Sequence, residues 1–536
     1  MPQAAGSQPT IRVLVADDLS AAGVELLRSS PGFEVTVRTG MTPAELKATL
    51  DTYEALLVRS ATRVTADALA APGRLRVIGR AGTGVDNIDL AAATRAGVVV
   101  MNTPGGNSLA AAELTFAHLL GLARNVAPAA AEVRAGEWPR KKYVGVELAG
   151  KVLGIVGLGR IGREVARRAK AFRMDVMGFD PYVSKNVATD AGVRYATLDE
   201  LLAESDFVTL HLPLTDNTRR LIDARAIARM KPSARLINCA RGGLVDEVAL
   251  LDGLDAGRVA GAALDVFESE PPTDRRLVEH PRVVATPHLG ASTIEAQERV
   301  GTEIAEKVRE FLRGGVILDA VNFPSMDREA TAALGPALGL SERLGRLLGQ
   351  IVEGGFRRLE VRTLGSLTSH DLRPLAMAAT KGLLTRLVEG GVSYVNALTL
   401  ASERGITVDE SRSSEPSPYA GLLRLTLDTD RGRTTVAGTL LGAERPRLVD
   451  IDGVGIESRL DGHMLVIRNR DVPGVVGKVG TILGRARVNI AGIQLGRTNG
   501  PEGAVSIIAI DGPAPPEALA DIAAIQEITL VRAVEV

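Results

Sequence analysis

Apolar residues along this chain fall into short unbroken runs, separated by longer stretches in which they recur every three or four positions. IRVLVAD (11–17) is one such run; an amphipathic stretch over 21–29, the run FEVTVR and a second amphipathic stretch over 43–50 follow it. ALLVRS, RLRVIGR and GVVVMNTP repeat the pattern. Short all-apolar runs read as strands buried on both faces. Their alternation with helices predicts a parallel sheet with right-handed crossovers. A long Ala/Leu-rich period, SLAAAELTFAHLLGLARNV, predicts a helix beginning near Ser108. The alternation then restarts at Lys151 and runs through FVTLHLPLT, ARLINCA, AGAALDVF and VVATPHLG, before a second long helix expected over about 292–313. Two α/β lobes result. From about 321 the rhythm loosens. Residues 325–455 mix helices with the strand-like runs RLEVRTLG, GLLRLTLDT and RTTVAGTLLG, and SRSSEPSPY (411–419) reads as a loop. Residues 463–536 read strand, helix, strand, strand, helix, strand, the split βαβ order of ferredoxin-like units.

Length and composition narrow this picture. A chain of 536 residues holds several domains. The formal net charge of −1 provides no global attraction to nucleic acid or to an anionic membrane. Cys239 is the single cysteine, so no intrachain disulfide and no cysteine-held metal is expected. MPQAAGSQPTIR lacks the layout of a secretory signal, and no run of about 18 apolar residues suggests a membrane span. These features predict a soluble, cytoplasmic protein with no metal, nucleic-acid or membrane partner.

The most specific local signal is KVLGIVGLGRIG (151–162). A buried strand leads into Gly157, Gly159 and Gly162 in G-x-G-x-x-G spacing, then a helix, then the strand DVMGF ending at Asp180. The first glycine makes the tight turn, the second lets the backbone approach a pyrophosphate, and the third lets the helix pack close to the strand. The helix N-terminus supplies N–H groups and a positive dipole end. Asp180 is placed to accept hydrogen bonds from the adenosine ribose. Its charge would repel a 2′-phosphate, and Pro181 and Tyr182 provide no Arg to attract one, so NAD is favoured over NADP.

Three residues just past later strand ends complete a chemistry. Arg241 follows LINCA, Glu268 and Glu270 follow GAALDV, and His288 follows VVATP. Hydride transfer from a secondary alcohol needs a proton acceptor, and imidazole titrates in the right range. A carboxylate would orient the ring, and an Arg would clamp a substrate carboxylate. Of the other histidines, His118 reads as a packed helix residue and His211 as a possible cofactor neighbour, while His280, His370 and His463 read as surface positions.

Taken together, GRAGTGVDNIDL (79–90), MNTPGGNSLAAAE (101–113), VGLGRIGREVA (156–166), NCARGGLVDE (238–247), LDVFESEPP (264–272) and TPHLGASTIEAQ (286–297) resemble the D-isomer-specific 2-hydroxyacid dehydrogenases, in their long form. The resemblance spans essentially the whole chain. It implies an α/β fold of two doubly wound parallel-sheet lobes. A Rossmann-like NAD lobe (107–292) would be inserted in a flavodoxin-like substrate lobe (1–106 and 293–320). An intervening α+β domain (321–456) would follow, then a ferredoxin-like ACT domain (460–536), the latter through NRDVPGVVGKVGTILG and VNIAGIQLGR. His288 becomes the acid/base, Glu270 its partner and Arg241 the anchor of the substrate carboxylate. Glu270 matches rather than Glu268 because it directly precedes the proline pair. Cofactor contacts are implied at Thr83, Arg160, Ile161, Asp180, His211, Leu212, Pro213, Cys239, Ala240, Asp265, Gly290 and Ala291, beside the three glycines, Arg241 and His288.

The implied activity is NAD-dependent oxidation of D-3-phosphoglycerate to 3-phosphooxypyruvate, the first step of phosphorylated L-serine synthesis. That substrate carries about three negative charges, so extra cations are expected in the site. Arg59, Ser60, Arg80 and Asn107 match substrate contacts, and Arg140, in EWPRKKYVG, is expected to reach a partner subunit's site in a dimer or tetramer. Asp471 and Asn489 match positions that would hold an L-serine effector. Arg362, Lys381 or Arg447 could bind an anion in the 325–455 region. Two other readings stay open on sequence alone. One is a reductase for hydroxypyruvate, glyoxylate or 2-oxoglutarate; the other is an NAD-sensing corepressor-like binding protein.

Overall fold

The computed structural model describes residues 10–181, 183, 192–326, 328–388, 391–442, 444–497 and 503–536. The first nine residues and Tyr182, which entered the reading above, lie outside them.

The first sheet contains β1 (Ile11–Val15), β2 (Phe33–Val37), β3 (Ala55–Val58), β4 (Val77–Arg80) and β5 (Val99–Met101), all parallel in the order β2-β1-β3-β4-β5. That is the flavodoxin-like order. The helix Ile294–Gly314 returns to this sheet after the second lobe has formed. Its Ile304, Val308 and Phe311 pack on Val13, Val77 and Met101, and Gly79 leaves room for it. The second lobe is thus inserted in the first.

That second sheet contains β6 (Val152–Val156), β7 (Asp175–Phe179), β8 (Arg194–Tyr195), β9 (Phe207–Leu210), β10 (Arg235–Asn238), β11 (Gly261–Leu264) and β12 (Val283–Ala285). All seven are parallel, in the order β12-β11-β10-β9-β6-β7-β8. Strand order reverses between β6 and β9, which opens the crevice where such sheets bind ligands. Alternate strand residues feed two cores. Leu153, Ile155 and Ile237 face the helices Ser108–Arg124 and Arg160–Ala171, whereas Val156, Val208 and Leu236 face the other layer. The helix predicted from Ser108 stops at Arg124, because Asn125 takes a left-handed φ of 54°. A second helix, Val126–Arg134, follows with no buried residue.

The third sheet is mixed: β13 (Phe356–Gly365), β14 (Thr407–Ser413), β15 (Gly421–Thr429), β16 (Gly432–Leu441), β17 (Arg445–Ile451) and β18 (Val454–Arg459), in the order β14-β13-β15-β16-β17-β18. The loop expected over 411–419 is corrected at its start. β14 pairs in parallel with β13 through Ser413. TVDESRS is an exposed polar edge strand, so no apolar run announces it. The helices Arg328–Ile351 and Arg373–Leu384 cover this sheet. The unit also docks on the first lobe, where Ser393 Oγ and Asn396 Nδ2 donate to the carbonyls of Gly97 and Arg95, each at 3.3 Å.

The last unit is antiparallel: β19 (His463–Asn469), β20 (Ile490–Arg497), β21 (Ala504–Ile510) and β22 (Ile528–Glu535), in the order β20-β21-β19-β22. One face packs its own helices, Val475–Arg485 and Pro516–Ala523. The other face, through Met464, Val466 and Ile507, joins the core of Leu344 and Leu347 from the third unit. Among the described residues, no helix is long and apolar enough to cross a membrane, and no group of three His, Cys, Asp or Glu could hold a metal ion.

Candidate active site

The turn from β6 into the helix Arg160–Ala171 forms as its glycines require. Gly157 has φ 104°, and a Cβ on Gly162 would lie 2.0 Å from the Gly157 carbonyl oxygen. The helix therefore sits tight against the strand, with its N-terminus open toward the crevice. Asp180, buried at the end of β7, accepts a 2.8 Å hydrogen bond from Leu158 N–H, which fixes the carboxylate beside the turn. Such a backbone cradle with a fixed acid fits a dinucleotide.

Beside this turn lies a cleft of about 460 Å³ between the two lobes. Thr83, Asn107, Arg160, Ile161, His211, Leu212, Pro213, Cys239, Ala240, Gly290 and Ala291 line it, together with Gly159, Arg80, Arg241 and His288. Gly157, Gly162, Asp180 and Asp265, also expected at the cofactor, are not among the residues that line it. The Thr83 hydroxyl donates to Asn107 Oδ1 at 2.7 Å, joining the two lobes at the cleft's floor.

His288 Nδ1 is 2.8 Å from Glu270 Oε2. The other Glu270 oxygen accepts from Phe267 N–H at 3.1 Å. Partial burial pushes the Glu270 carboxyl up, but hydrogen bonds from His288 and Phe267 and the charges of His288 and Arg241 outweigh it and hold the group below the ordinary range. Glu268 is occupied elsewhere, 3.4 Å from Arg220.

His288 adopts a left-handed φ of 55°, imposed by Asp265. The Asp265 carbonyl accepts from His288 N–H at 2.9 Å, and its buried carboxylate accepts from Leu289 N–H (2.7 Å), Gly290 N–H (2.8 Å) and the Thr286 hydroxyl (2.6 Å). Thr286 in turn lies 3.0 Å from His118 Nε2. His118 is thus more than packing: burial lowers its pKa and keeps the ring neutral, so its Nε2–H can steady the hydroxyl that steadies Asp265. No short motif marks this chain of contacts, because it joins positions 118, 265 and 286 only in three dimensions.

Cys239 is buried and His211 half-buried at the cleft wall, and desolvation favours the neutral form of both. Burial pushes the His211 ring down to about 3; its Nε2 meets the Thr209 hydroxyl at 3.0 Å, and its Nδ1 is shut off from water with no partner among the described residues. Burial, with the nearby Asp265 charge, pushes the Cys239 thiol up to about 12 and makes it inert. The surface reading of His280 is corrected: its side chain is only 8% exposed, and Nδ1 accepts from Arg282 N–H at 3.1 Å.

Of the residues expected to meet substrate from the first lobe, Arg80 lines the cleft, whereas Arg59 and Ser60 do not. Arg80 is half-buried, its Nε shut off from solvent, and that burial beside Arg241 lowers its pKa to about 10. Arg59 stands at the end of β3; its N–H donates to Asp17 at 2.6 Å, and Ser60 beside it is exposed. Arg241 is held across the cleft by Asp86, Nε to Oδ2 at 3.0 Å. Asp86 lies inside the GTGVDN stretch but escaped the sequence reading, because an acid runs against the expectation for an anion site. Arg140 does not line the cleft of its own chain: it sits in an exposed turn beside Trp138, whose surface is 76% exposed.

In the last unit the two positions read as an effector site do not meet. Asp471 pairs with Arg497 Nε at 3.3 Å, and Asn489 donates to Asp511 at 2.6 Å. The register places Asn469 opposite Ala504 and His463 opposite Ile510, which pairs Ile490. The two residues therefore flank opposite ends of β19, roughly 20 Å apart at 3.3 Å per residue. Of the anion candidates in the third unit, Arg362 and Lys381 are taken up by Glu360 and Glu342, and Arg447 donates to the Pro446 carbonyl.

Residues 116–290 match the model of the D-isomer specific 2-hydroxyacid dehydrogenase NAD-binding domain, 333–452 that of the D-3-phosphoglycerate dehydrogenase intervening domain, and 463–527 that of the ACT domain. The chain is 40% identical to the D-3-phosphoglycerate dehydrogenase of Methanocaldococcus jannaschii, covering 97% of this chain and 98% of that one. It is 42% identical to the Bacillus subtilis enzyme of the same name, covering 93% and 95%. Among solved structures, a glyoxylate reductase from Paecilomyes thermophila superposes with a TM-score of 0.53 at 32% identity, covering 59% of this chain and 99% of that one.

Proposed function

The chain belongs to the D-isomer specific 2-hydroxyacid dehydrogenase family, and from that premise we propose that its cleft oxidises D-3-phosphoglycerate with NAD to 3-phosphooxypyruvate, the opening reaction of phosphorylated serine synthesis. The observation that carries this reading is the His288–Glu270 pair facing Arg241 across one cleft beside the Gly157–Gly162 turn. The lobes divide the work. Residues 107–292 hold NAD, 1–106 with 293–320 hold the substrate, and 321–456 and 460–536 serve regulation and assembly.

NAD, when bound, accepts the hydride leaving C2 of the substrate. The helix N-terminus at Gly159–Ile161 would take its pyrophosphate, Asp180 its adenosine ribose, and the Asp265 region its carboxamide end. Arg241 pairs with the substrate carboxylate. Arg59 and Arg80 receive the phosphate, with Ser60 and Asn107 beside them. Neutral His288 removes the hydroxyl proton through Nε2, since Nδ1 faces Glu270. The Glu270 carboxylate, ionised through the working range, stabilises the imidazolium that forms. The Asp265 contacts fix the turn that aims the ring. Closing of the lobes excludes water.

The chain acts as a homo-oligomer, a dimer or a tetramer. Val126, Val133, Trp138 and Val144 form an exposed apolar arm that supports pairing, and Arg140 on that arm would serve the partner's cleft. L-serine is the effector, bound where Asp471 of one copy meets Asn489 of another. Their separation within one chain supports a two-copy site. One buried inert thiol suits a reducing cytoplasm.

Steady-state NAD reduction with D-3-phosphoglycerate, D-2-hydroxyglutarate and D-glycerate, each with and without serine, tests the reading. The highest kcat/KM should belong to the phosphorylated acid. A higher value for either other acid would move the chain to another 2-hydroxyacid dehydrogenase, and no turnover of any would leave a binding protein.

A further inference from the structure

The cleft that receives a polyanion contains an acid. Asp86 projects from the turn after β4 and reaches Arg241 on the opposite lobe, Oδ2 to Nε at 3.0 Å. Arg241 Nη1 donates to the Ala240 carbonyl at 2.7 Å. Nη2 lies over Gly84, 1.9 Å from the point a Cβ would occupy. The guanidinium is therefore held from two sides, and its remaining donors face the cleft. Asp86 itself lines that cleft.

A second acid, beside Arg59, is already occupied. Asp17 accepts from Arg59 N–H (2.6 Å), Thr62 N–H (3.2 Å) and the Thr62 hydroxyl (2.5 Å). Arg80 Nε has no partner among the described residues. The cation cluster is thus polarised. Its Arg241 end carries a carboxylate in direct contact, while the Arg80 guanidinium touches no carboxylate among the described residues and feels the Asp86 and Asp17 charges only at longer range.

D-3-phosphoglycerate is also polarised: the carboxylate carries one charge and the phosphate nearer two. Guanidinium forks donate bidentately to both groups. A uniform arginine cluster would take the molecule in either direction, yet one direction alone brings C2 to His288. We propose that Asp86 is a positioning residue that holds Arg241 in place and offsets one unit of its charge, so that the phosphate goes to the Arg59–Arg80 end and the carboxylate to Arg241. This rests on Arg241 as the carboxylate anchor. Asp86 acts through Arg241 and touches neither the reacting carbon nor the proton in transit.

Two variants separate charge from contact in the full-length enzyme. Asp86→Asn keeps an oxygen acceptor for Arg241 Nε and removes the charge, whereas Asp86→Ala removes both. With Asp86→Asn, inorganic phosphate should inhibit about tenfold more strongly, D-3-phosphoglycerate should become inhibitory at high concentration through reversed binding, and kcat should fall by about tenfold. Asp86→Ala should also raise KM, and Asp86→Glu should restore weak phosphate inhibition. The Kd for NAD should stay within about twofold throughout, because the cofactor cradle is untouched. Phosphate inhibition in Asp86→Asn equal to that of the parent overturns the proposal, whatever happens to kcat. Failure of the parent to turn over D-3-phosphoglycerate would count against the assigned reaction instead; calorimetric binding of phosphate to parent and variant would still decide the role of Asp86.

Discussion

The catalytic cleft and the ACT unit show opposite relations between sequence and space. In the cleft, residues as far apart as Asp86 and Arg241, or His118 and Thr286, come within hydrogen-bond distance inside one chain. In the ACT unit, Asp471 and Asn489 are only eighteen positions apart and flank opposite ends of β19. A parallel sheet gathers its functional loops at one edge, because every strand points the same way. An antiparallel sheet sends successive loops to opposite edges, so two loops at opposite edges of one unit stay a strand length apart. The first set of residues is gathered within one chain, whereas the two positions of the second stay apart within one chain.

The sharpest way to break this comparison is at the proton acceptor. His288→Asn should lower kcat by roughly 10²–10⁴-fold with NAD affinity little changed, measured by steady-state kinetics and cofactor fluorescence. Turnover near that of the parent would remove the cleft's chemistry from one side of the contrast. Next in size is the cradle. Gly162→Ala drives a methyl into the Gly157 carbonyl, so the Kd for NAD should rise by about a hundredfold while serine binding is unaffected. A parallel loss of serine binding would show that the two sites are not independent.

The proposed two-copy serine site is tested by mixing. Asp471→Ala and Asn489→Ala should each abolish serine inhibition and leave basal activity within about twofold. A mixed oligomer of the two variants should regain part of the inhibition, because some interfaces then pair intact halves. No regain in any mixture would place the effector within a single chain.

The smallest effect is electrostatic. The folded protein holds the His211 ring neutral down to about 3, while an unfolded chain protonates its histidines near 6.5. Between those values the unfolded chain binds more protons, so stability is complete above about 6.5 and declines as pH falls below it. His211→Asn should flatten the fall of Tm between pH 6.5 and 4 by a few degrees in scanning calorimetry of the cofactor-free enzyme. An unchanged slope would mean that other groups carry the acid sensitivity.

Much was legible before any coordinates. Short apolar runs gave every strand of the first parallel sheet and all of the second but its two-residue edge strand β8, because central parallel strands are buried on both faces and leave an unmistakable pattern. The glycine turn and Asp180 were legible for a local reason: strand, turn and helix are contiguous, and their geometry is set within some thirty residues. Strand β14 was not, since TVDESRS is a polar edge and its partner strand is what makes it a strand. The long helix was read through Asn125, whose left-handed φ depends on how the next segment leaves the surface.

What the chain determined by itself was the set of chemical groups and the elements that carry them: a cofactor turn, an imidazole, two acids and several guanidiniums at strand ends. Only the tertiary structure decided how those groups are paired. It set Asp86 against Arg241, linked His118 to Asp265 through Thr286, and kept Asp471 from Asn489. The reason is physical. Backbone conformation is governed by neighbours in sequence, whereas charge pairing depends on distances across a cleft or a sheet, which exist only once the lobes have packed.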